Sequence, residues 1–248
     1  MFQLPENKRR EITSNRRKRV FIYGNSLAGK TTFADKFPDP VMLNSDGSTS
    51  NITAPIVPIV KKEFNDGRRI IELSPWEVFL KTIELLEKKQ NTFKTVVVDL
   101  VEGMYEHCRS YIFKKHNFEH ESDLGFGKGY SMVDKEFFDT MNRVLNLDYE
   151  YIILISRQKT EAVTKRNGEN ISTIKPDLRD KVMNEIVKSI DLIGRITCEN
   201  NEKRILSFKN DDYVFGGVRI PINNAVIPAD FEAFKNNFII KNINKQGE

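Results

Sequence analysis

Residues 19–31 read Arg-Val-Phe-Ile-Tyr-Gly-Asn-Ser-Leu-Ala-Gly-Lys-Thr, and this stretch decides the fold of the chain. Residues 20–23 are β-branched or aromatic, which predicts a short buried strand. Residues 24–31 fit the pattern G-x-x-x-x-G-K-[ST], and a helix is predicted over residues 29–37, where Pro38 ends it. A strand, a glycine-bearing loop and a helix in this order are the setting that a phosphate-binding loop requires.

The chemistry of phosphate binding explains the spacing within this loop. Glycine lets the backbone approach a phosphate group closely, with its amides pointing inward. Lys30 is expected to reach the β- and γ-phosphates of ATP, and the Thr31 hydroxyl is expected to bind Mg²⁺. Contacts with the nucleotide are predicted for one continuous run of residues: Gly24, Asn25, Ser26, Leu27, Ala28, Gly29, Lys30, Thr31 and Thr32.

Outward from the loop, short apolar runs alternate with helical patterns. Strands are predicted at residues 41–43, 69–73, 95–99 and 151–156. Helices are predicted at residues 101–116, 132–147 and 182–190, and one more begins at Ser74, where Glu77 completes a capping box. A β-hairpin is predicted from residues 193–198 and 204–208. The alternation predicts an α/β fold with a mainly parallel sheet flanked by helices, plus this C-terminal β-hairpin.

Acidic residues near the strand ends are candidates for the metal and for catalysis. Asp99 follows three valines and is expected to hold Mg²⁺ together with Thr31. Hydrolysis also needs a group that orients the attacking water. Many ATPases carry a Glu for this role directly after the strand-end Asp, but this chain has Leu100 at that position. Two candidates remain, Asp46 just past the second predicted strand and Glu102 close after Asp99.

Composition excludes several classes of protein. The chain has 248 residues, of which 39% are hydrophobic and 30% charged, enough for a substantial core in one large domain. Its longest apolar runs are far shorter than a membrane span, and it begins without a signal-peptide pattern. A cytoplasmic protein with no membrane partner is therefore expected, with Cys108 and Cys198 as reduced thiols.

Basic charge is concentrated at the N-terminus. Residues 1–19 hold seven basic and two acidic residues, although the whole chain has a net charge of only +4. This pattern predicts a basic arm at residues 1–18, which either binds an anionic partner such as nucleic acid or is a solvated tail. A core at residues 19–215 and a C-terminal segment at residues 216–248, packed on the core or on a neighbour, complete the predicted division.

Taken together, these segments resemble phage P-loop ATPases of the AAA family, also described as phage nucleotide-binding proteins. Those proteins are small relatives of RecA-type recombinases and are linked to single-strand annealing. The resemblance spans about residues 19–210 and rests on the phosphate loop and on residues 43–47, 97–102, 105–109, 146–150, 153–156 and 174–177.

The resemblance implies a RecA-like P-loop NTPase that acts on single-stranded DNA in phage recombination or replication. It also implies a single-stranded-DNA-binding protein as partner and the cytoplasm of a bacterial host as location. Copies of the chain are expected to assemble side by side, with ATP near the interface between them.

Further roles follow from the RecA-like arrangement. The strand after the phosphate-loop helix often delivers a carboxylate to the nucleotide, which favours Asp46 over Glu102. The strand predicted at residues 151–156 lies beside the phosphate loop, so Arg157 or Gln158 at its end is a candidate sensor of the γ-phosphate. Arg179 and Lys181 are candidates for a finger that reaches the site of a neighbouring subunit. Arg157 as a surface residue, and Arg179 and Lys181 as paired surface charges, are the alternatives.

Residues 157–175 carry five basic and two acidic residues, and Gly168 predicts a hairpin turn within them. In RecA-type folds the loop after this strand contacts single-stranded DNA. The resemblance therefore implies DNA contacts by four side chains: Lys159, Lys165, Arg166 and Lys175. The segment has no aromatic residue, so base stacking is not expected. An ordinary basic hairpin is the alternative.

Two other functions share the phosphate loop. A nucleotide or small-molecule kinase would use residues 157–181 as a lid over the phosphates and would need an acceptor. A loader of a helicase or another protein would use ATP as a switch with little hydrolysis, and Leu100 after Asp99 keeps this alternative open.

Overall fold

The computed structural model describes residues 17–239, except 66, 68, 119–127, 166, 167 and 201, together with Leu4, Glu6 and Asn7. Most of the predicted basic arm, the DNA-contact candidate Arg166 and residues 240–248 lie outside the described residues. Among the helices that are described, none combines the length and the apolar character needed to cross a membrane.

The described residues form twelve strands and six helices. In chain order they are β1 (Lys18–Gly24), α1 (Lys30–Ala34), β2 (Pro40–Asn44), β3 (Ile56–Pro58), β4 (Lys62–Asn65), β5 (Ile70–Leu73), α2 (Pro75–Glu87), β6 (Thr95–Asp99), α3 (Val101–His116), α4 (Lys128–Asn146), β7 (Tyr151–Thr164), β8 (Asn170–Pro176), α5 (Asp180–Val187), β9 (Leu192–Glu199), β10 (Lys203–Ser207), β11 (Gly217–Val218), β12 (Val226–Pro228) and α6 (Phe231–Lys235).

The main sheet has the order β12-β10-β9-β1-β7-β6-β2-β3, with β8 on β7 and β11 on β9. From β9 to β3 all neighbours are parallel, whereas β10 pairs antiparallel with β9 as the predicted hairpin. The predicted mainly parallel α/β fold is therefore confirmed. The strand predicted at residues 151–156 belongs to β7, which pairs with the phosphate-loop strand β1, so that Gly24 lies opposite Arg157.

Several predicted elements differ in extent or place. The strand predicted at residues 69–73 pairs with β4 in a separate two-stranded sheet. The helix α1 ends at Ala34, short of the predicted residue 37. The amides of Lys36 and Phe37 donate to carbonyls three residues back, and not four as in an α-helix. β7 continues to Thr164 beyond the predicted end at residue 156, because β8 pairs with its second half. α4 begins at Lys128, earlier than the predicted residue 132.

Both faces of the main sheet are covered. Phe21 and Tyr23 of β1 belong to the core beneath α2, α3, α4 and α5, whereas Val20 and Ile22 face the core beneath α1 and α6. In a sheet buried on both faces, the side chains on either side of a strand must be apolar. This explains the continuous apolar runs of β1, β6 and β7. The predicted capping box fixes α2, since the Ser74 amide donates to Glu77 Oε2 at 2.8 Å.

The C-terminal segment packs on the core of its own chain. Phe234 is fully buried, and its ring lies 6.0 Å from that of Phe33 and 5.3 Å from that of Phe37. β12 extends the main sheet beyond β10. Residues up to Ile239 therefore cover the helix that follows the phosphate loop.

Two basic residues at the start of β1, Arg17 just before it and Arg19 within it, bind the end of a helix. Arg17 Nη1 donates to the Asn146 carbonyl at 2.7 Å, and Arg19 Nε donates to the Leu145 carbonyl at 2.7 Å. Both carbonyls lie in the last turn of α4, where cations satisfy unpaired acceptors and oppose the helix dipole. These two charges, counted with the basic arm in the sequence, have a structural role.

Gly24→Ala is expected to lower the free energy of unfolding by about 2 kcal/mol or more, the cost of a forced close contact in a packed sheet. A Cβ at this position would lie 2.3 Å from the carbonyl oxygen of Ile196 on the neighbouring strand β9. Urea unfolding measures the change. Ser26→Ala, at an exposed position in the same loop, is the control, with an expected change within about 0.5 kcal/mol. Equal stability of the two variants would contradict this account of the β1–β9 contact.

Candidate active site

The phosphate loop leaves the end of β1 in the middle of the sheet. Leu27 and Gly29 have φ values of 65° and 91°, a left-handed conformation that favours glycine at the second position. Lys30 begins α1 and folds back over the loop, where its Nζ donates to the carbonyls of Gly24 at 3.0 Å and Asn25 at 2.8 Å. The ammonium group is thus held at the mouth of the loop, where a phosphate chain would enter.

The Lys30 ammonium group lies in a confined, buried position. Burial lowers the pKa of its ammonium group, and the nearby carboxylates of Asp99 and Glu102 oppose that change. A cation held by neutral carbonyls is ready to exchange them for phosphate oxygens, which bind it more strongly.

Asp99 is the last residue of β6 and lies beside the first turn of α1. The Thr31 hydroxyl donates to Asp99 Oδ2 at 2.8 Å, which joins the two predicted metal ligands across 68 positions of sequence. Asp99 is only 1% exposed, and no described residue donates a hydrogen bond to its Oδ1. The sheet therefore brings the predicted pair together and leaves one carboxylate oxygen unsatisfied.

The pKa of Asp99 is raised to about 6, chiefly by burial and also by the carboxylates of Asp46 and Glu102, while the hydrogen bond from Thr31 and the charge of Lys30 act to lower it. Three acids therefore converge at one end of the sheet. This donor set fits Mg²⁺, which takes hard oxygen ligands, often one carboxylate with waters and nucleotide phosphates. Thr31 and Asp99 are the residues that would hold the ion.

Asp46 and Glu102, the two candidates for orienting water, stand in different surroundings. Asp46 is exposed, and its Oδ1 accepts from Asn44 Nδ2 at 3.1 Å and from the Ser48 amide at 2.9 Å. Glu102 is more buried, and burial raises its pKa. Its Oε1 accepts from the Arg157 amide at 2.9 Å, whereas its Oε2 has no hydrogen-bond partner within the described part of the chain.

The sensor candidates lie at the point where β7 passes the phosphate loop. Arg157 lies opposite Gly24, and its Nε is 3.5 Å from Glu102 Oε1. Gln158 points to the other side of the strand, where its Oε1 accepts from Arg195 Nε at 2.9 Å. Arg157 is thus placed beside the acids of the site, and Gln158 is tied to β9.

The predicted DNA-contact lysines stand on the hairpin β7–β8 and have acidic or carbonyl partners. Lys165 Nζ is 2.6 Å from Asp212 Oδ2, and Lys175 Nζ is 2.6 Å from Asp180 Oδ1. Lys159 Nζ donates to the Leu178 carbonyl at 3.0 Å. Gly168 has a φ of 84° near the turn, as the predicted hairpin requires.

The two finger candidates converge on one buried acid of the same chain. Arg179 Nη1 donates to the Tyr105 hydroxyl at 2.6 Å and lies 3.5 Å from Asp134 Oδ1. Lys181 Nζ lies 2.8 Å from Asp134 Oδ2. These are the paired charges of the alternative interpretation, and a role in a neighbouring subunit stays a prediction.

Sequence reasoning missed Asn44 and Arg195. Asn44 is buried at the end of β2, where its Oδ1 accepts from the Gly47 amide at 2.8 Å and its Nδ2 holds Asp46. A polar residue at the end of an apolar strand was the available signal for Asn44. Arg195 had no such signal, because its bond with Gln158 depends on both strands flanking β1.

A family model described as an AAA domain matches residues 16–220. The chain belongs to the AAA domain family. Members of this family are generally ATPases that bind ATP together with Mg²⁺. A search of curated proteins finds no match to the chain.

In this AAA domain, Asp99→Asn is expected to stabilise the ligand-free protein at pH 7.5 and to weaken binding of nucleotide with Mg²⁺. An amide has no charge to bury, and its oxygen still accepts from Thr31. The rise of the pKa from 3.8 to about 6 corresponds to at most about 3 kcal/mol at neutral pH. Because the folded-state pKa is the higher one, stability falls as the pH rises from about 4 to about 6.

Urea unfolding between pH 4 and pH 8 measures this effect, and the gain of the variant over the parent protein should be largest above about pH 6. Asp148→Asn is the control, because Asp148 is exposed and Lys89 holds its pKa below the ordinary value. An Asp99→Asn protein less stable than the parent at pH 7.5 would contradict the interpretation that burial dominates at this site.

Proposed function

We propose that this protein hydrolyses ATP and acts on single-stranded DNA during phage recombination or replication. The phosphate loop, the pair of Thr31 and Asp99 and membership of the AAA domain family support ATP as the nucleotide. The hairpin β7–β8 supports DNA as the second partner. A single-stranded-DNA-binding protein and further copies of this chain belong to the same proposal.

Different residues in and around the loop bind different parts of the nucleotide and its metal ion. Backbone amides around Gly29 bind the phosphate chain, and Lys30 exchanges its carbonyl partners for phosphate oxygens. Thr31 and Asp99 hold Mg²⁺, which neutralises charge on the phosphates when bound. Deprotonated Asp99 is the form that can ligate the ion, so its raised pKa makes nucleotide binding weaken below about pH 6.

Glu102 is our candidate for orienting the attacking water. Its buried Oε2, which accepts no hydrogen bond from the residues that the structure describes, can accept one from water, and its raised pKa suits a general base. Asp46 is exposed, and its Oδ1 already accepts two hydrogen bonds in its own loop. The structural surroundings therefore favour Glu102, although the strand order of RecA-like sheets had favoured Asp46.

The continuity of β7 is the observation that carries the DNA proposal. Its first half pairs with β1 and β6 inside the core, and its second half pairs with β8 in the projecting basic hairpin. Between the halves, the Arg157 amide donates to Glu102 at 2.9 Å. A ligand that moves the hairpin therefore acts directly on the candidate water-orienting group.

The acidic partners of the hairpin lysines do not oppose this proposal. Ion pairs at the surface contribute about 1 kcal/mol or less. Asp212 and Glu161 are the more exposed members of their pairs, so the phosphates of DNA can replace them around Lys165 and Lys175. Such binding releases counterions and weakens as salt rises. A kinase would instead transfer phosphate to a small acceptor, and a loader would respond to a protein partner and not to DNA.

Steady-state phosphate release is expected to rise with single-stranded DNA, and the stimulation should shrink between about 50 and 200 mM salt. Lys30→Ala should lower turnover by on the order of 10²-fold or more, because it removes a preorganised cation from the phosphates. Lys81→Ala, which removes an exposed lysine of α2, is the matched control. Turnover without any response to DNA, and no DNA binding at low salt, would overturn the DNA part of the proposal.

Glu102→Gln and Asp46→Asn separate the two acids. Glu102→Gln is expected to lower kcat by about 10²-fold or more, as loss of a general base does, while nucleotide affinity stays near that of the parent protein. Asp46→Asn should lower kcat less than about 10-fold. Single-turnover hydrolysis with each variant decides between them, and the reverse order of effects would assign the role to Asp46.

A further inference from the structure

One arginine that the phosphate-loop motif does not include lies directly against the loop. Arg204 stands on β10, far along the chain from Gly29. A Cβ built on Gly29 would lie 2.4 Å from Arg204 Nε and 2.5 Å from Arg204 Cδ. The side chain therefore crosses the loop at the residue before Lys30, and glycine at this position leaves the room that it occupies.

The antiparallel pairing of β9 and β10 places Arg204 there. Arg204 pairs with Cys198 in this hairpin, and β9 in turn lies parallel to β1, so the hairpin runs beside the strand that carries the loop. The Ala229 amide donates to the Arg204 carbonyl at 3.0 Å, which fixes the backbone of β10 from its other side. The position of the arginine is thus set by the sheet.

The guanidinium of Arg204 differs from the other cations around the site. Lys30 donates to carbonyls, Arg157 lies near Glu102, and Arg195 donates to Gln158. Within the ranges that the structure describes, Arg204 has neither an ion pair nor a side-chain hydrogen bond. An exposed cation fixed against a phosphate loop lacks an anionic partner, and a nucleotide supplies one.

We infer that Arg204 binds the phosphate chain of the nucleotide held by residues 24–32. This inference rests on the proposed function, because it takes the loop as the nucleotide site. An arginine offers two parallel N–H donors to phosphate oxygens and stays charged at every working pH. It would approach the phosphates from the β10 side, opposite the side from which α3 brings Glu102.

The experiment compares MgATP with magnesium tripolyphosphate, which has the phosphate chain without the base and sugar. Isothermal titration calorimetry gives Kd for the parent protein, Arg204→Ala, Arg204→Lys and Lys203→Ala. Arg204→Ala is expected to weaken both ligands by about 10-fold or more, the size of a lost charge-assisted hydrogen bond. Arg204→Lys should recover part of the loss. Lys203→Ala removes the neighbouring exposed cation and should leave both values near those of the parent.

Three outcomes would overturn the inference. Equal affinities of Arg204→Ala and the parent protein would show that the arginine does not bind the ligand. A loss for MgATP alone would place the contact on the base or sugar. A loss in Lys203→Ala as large as in Arg204→Ala would show an unspecific effect of charge. By contrast, a parent protein that binds neither ligand would refute the proposed function itself. Thermal unfolding of each variant confirms that the compared proteins are folded.

Discussion

The carboxylate of Asp99 is held almost without water, and much of the sheet serves to hold it there. Burial of a carboxylate costs free energy, so the packing and hydrogen bonds around Asp99 must offset that cost. β6 lies between β2 and β7, which pair with both of its edges, and the two cores cover its faces. The Thr31 hydroxyl donates a hydrogen bond to Oδ2. The same arrangement leaves Oδ1 without a hydrogen-bond donor among the described residues, and a bound cation would offset that cost. Instability of the empty site and affinity for Mg²⁺ thus have one physical origin.

β7 links this site to the surface. A strand transmits displacement along its length because its backbone hydrogen bonds hold it to neighbours on both sides. Inside the core β7 pairs with β1 and β6, and its second half pairs with β8. The boundary falls at Arg157, whose amide donates to Glu102. Motion of the hairpin is therefore expected to shift the Arg157 amide, and with it Glu102, rather than the loop that binds phosphate.

The elements that local chemistry controls could be predicted from the sequence. The strand, loop and helix around Lys30 and the capped start of α2 follow from residues close together in the chain, and the structure shows both. The pair of Thr31 and Asp99 could also be predicted, because the ends of parallel strands meet at one edge of a sheet. The contact of Arg204 with Gly29 could not be predicted, since it depends on the register of β9 with β10. The length of β7 was missed because polar residues in an exposed hairpin lack the apolar pattern of a buried strand.

Charge counts along the chain were the weakest guide, and the structure shows why. Arg17 and Arg19 belong to the basic N-terminal stretch, yet they bind carbonyls at the end of α4. The surplus of positive charge in residues 157–175 is reduced by acids from outside that segment, since Asp212 lies beside Lys165 and Asp180 beside Lys175. Under the proposed function, DNA would have to displace these acids before it contacts the lysines, so the net gain in binding free energy per contact would be small. DNA binding by this hairpin alone would then be weak and sensitive to salt. Several copies of the chain acting on one DNA strand would give the affinity that a single hairpin lacks.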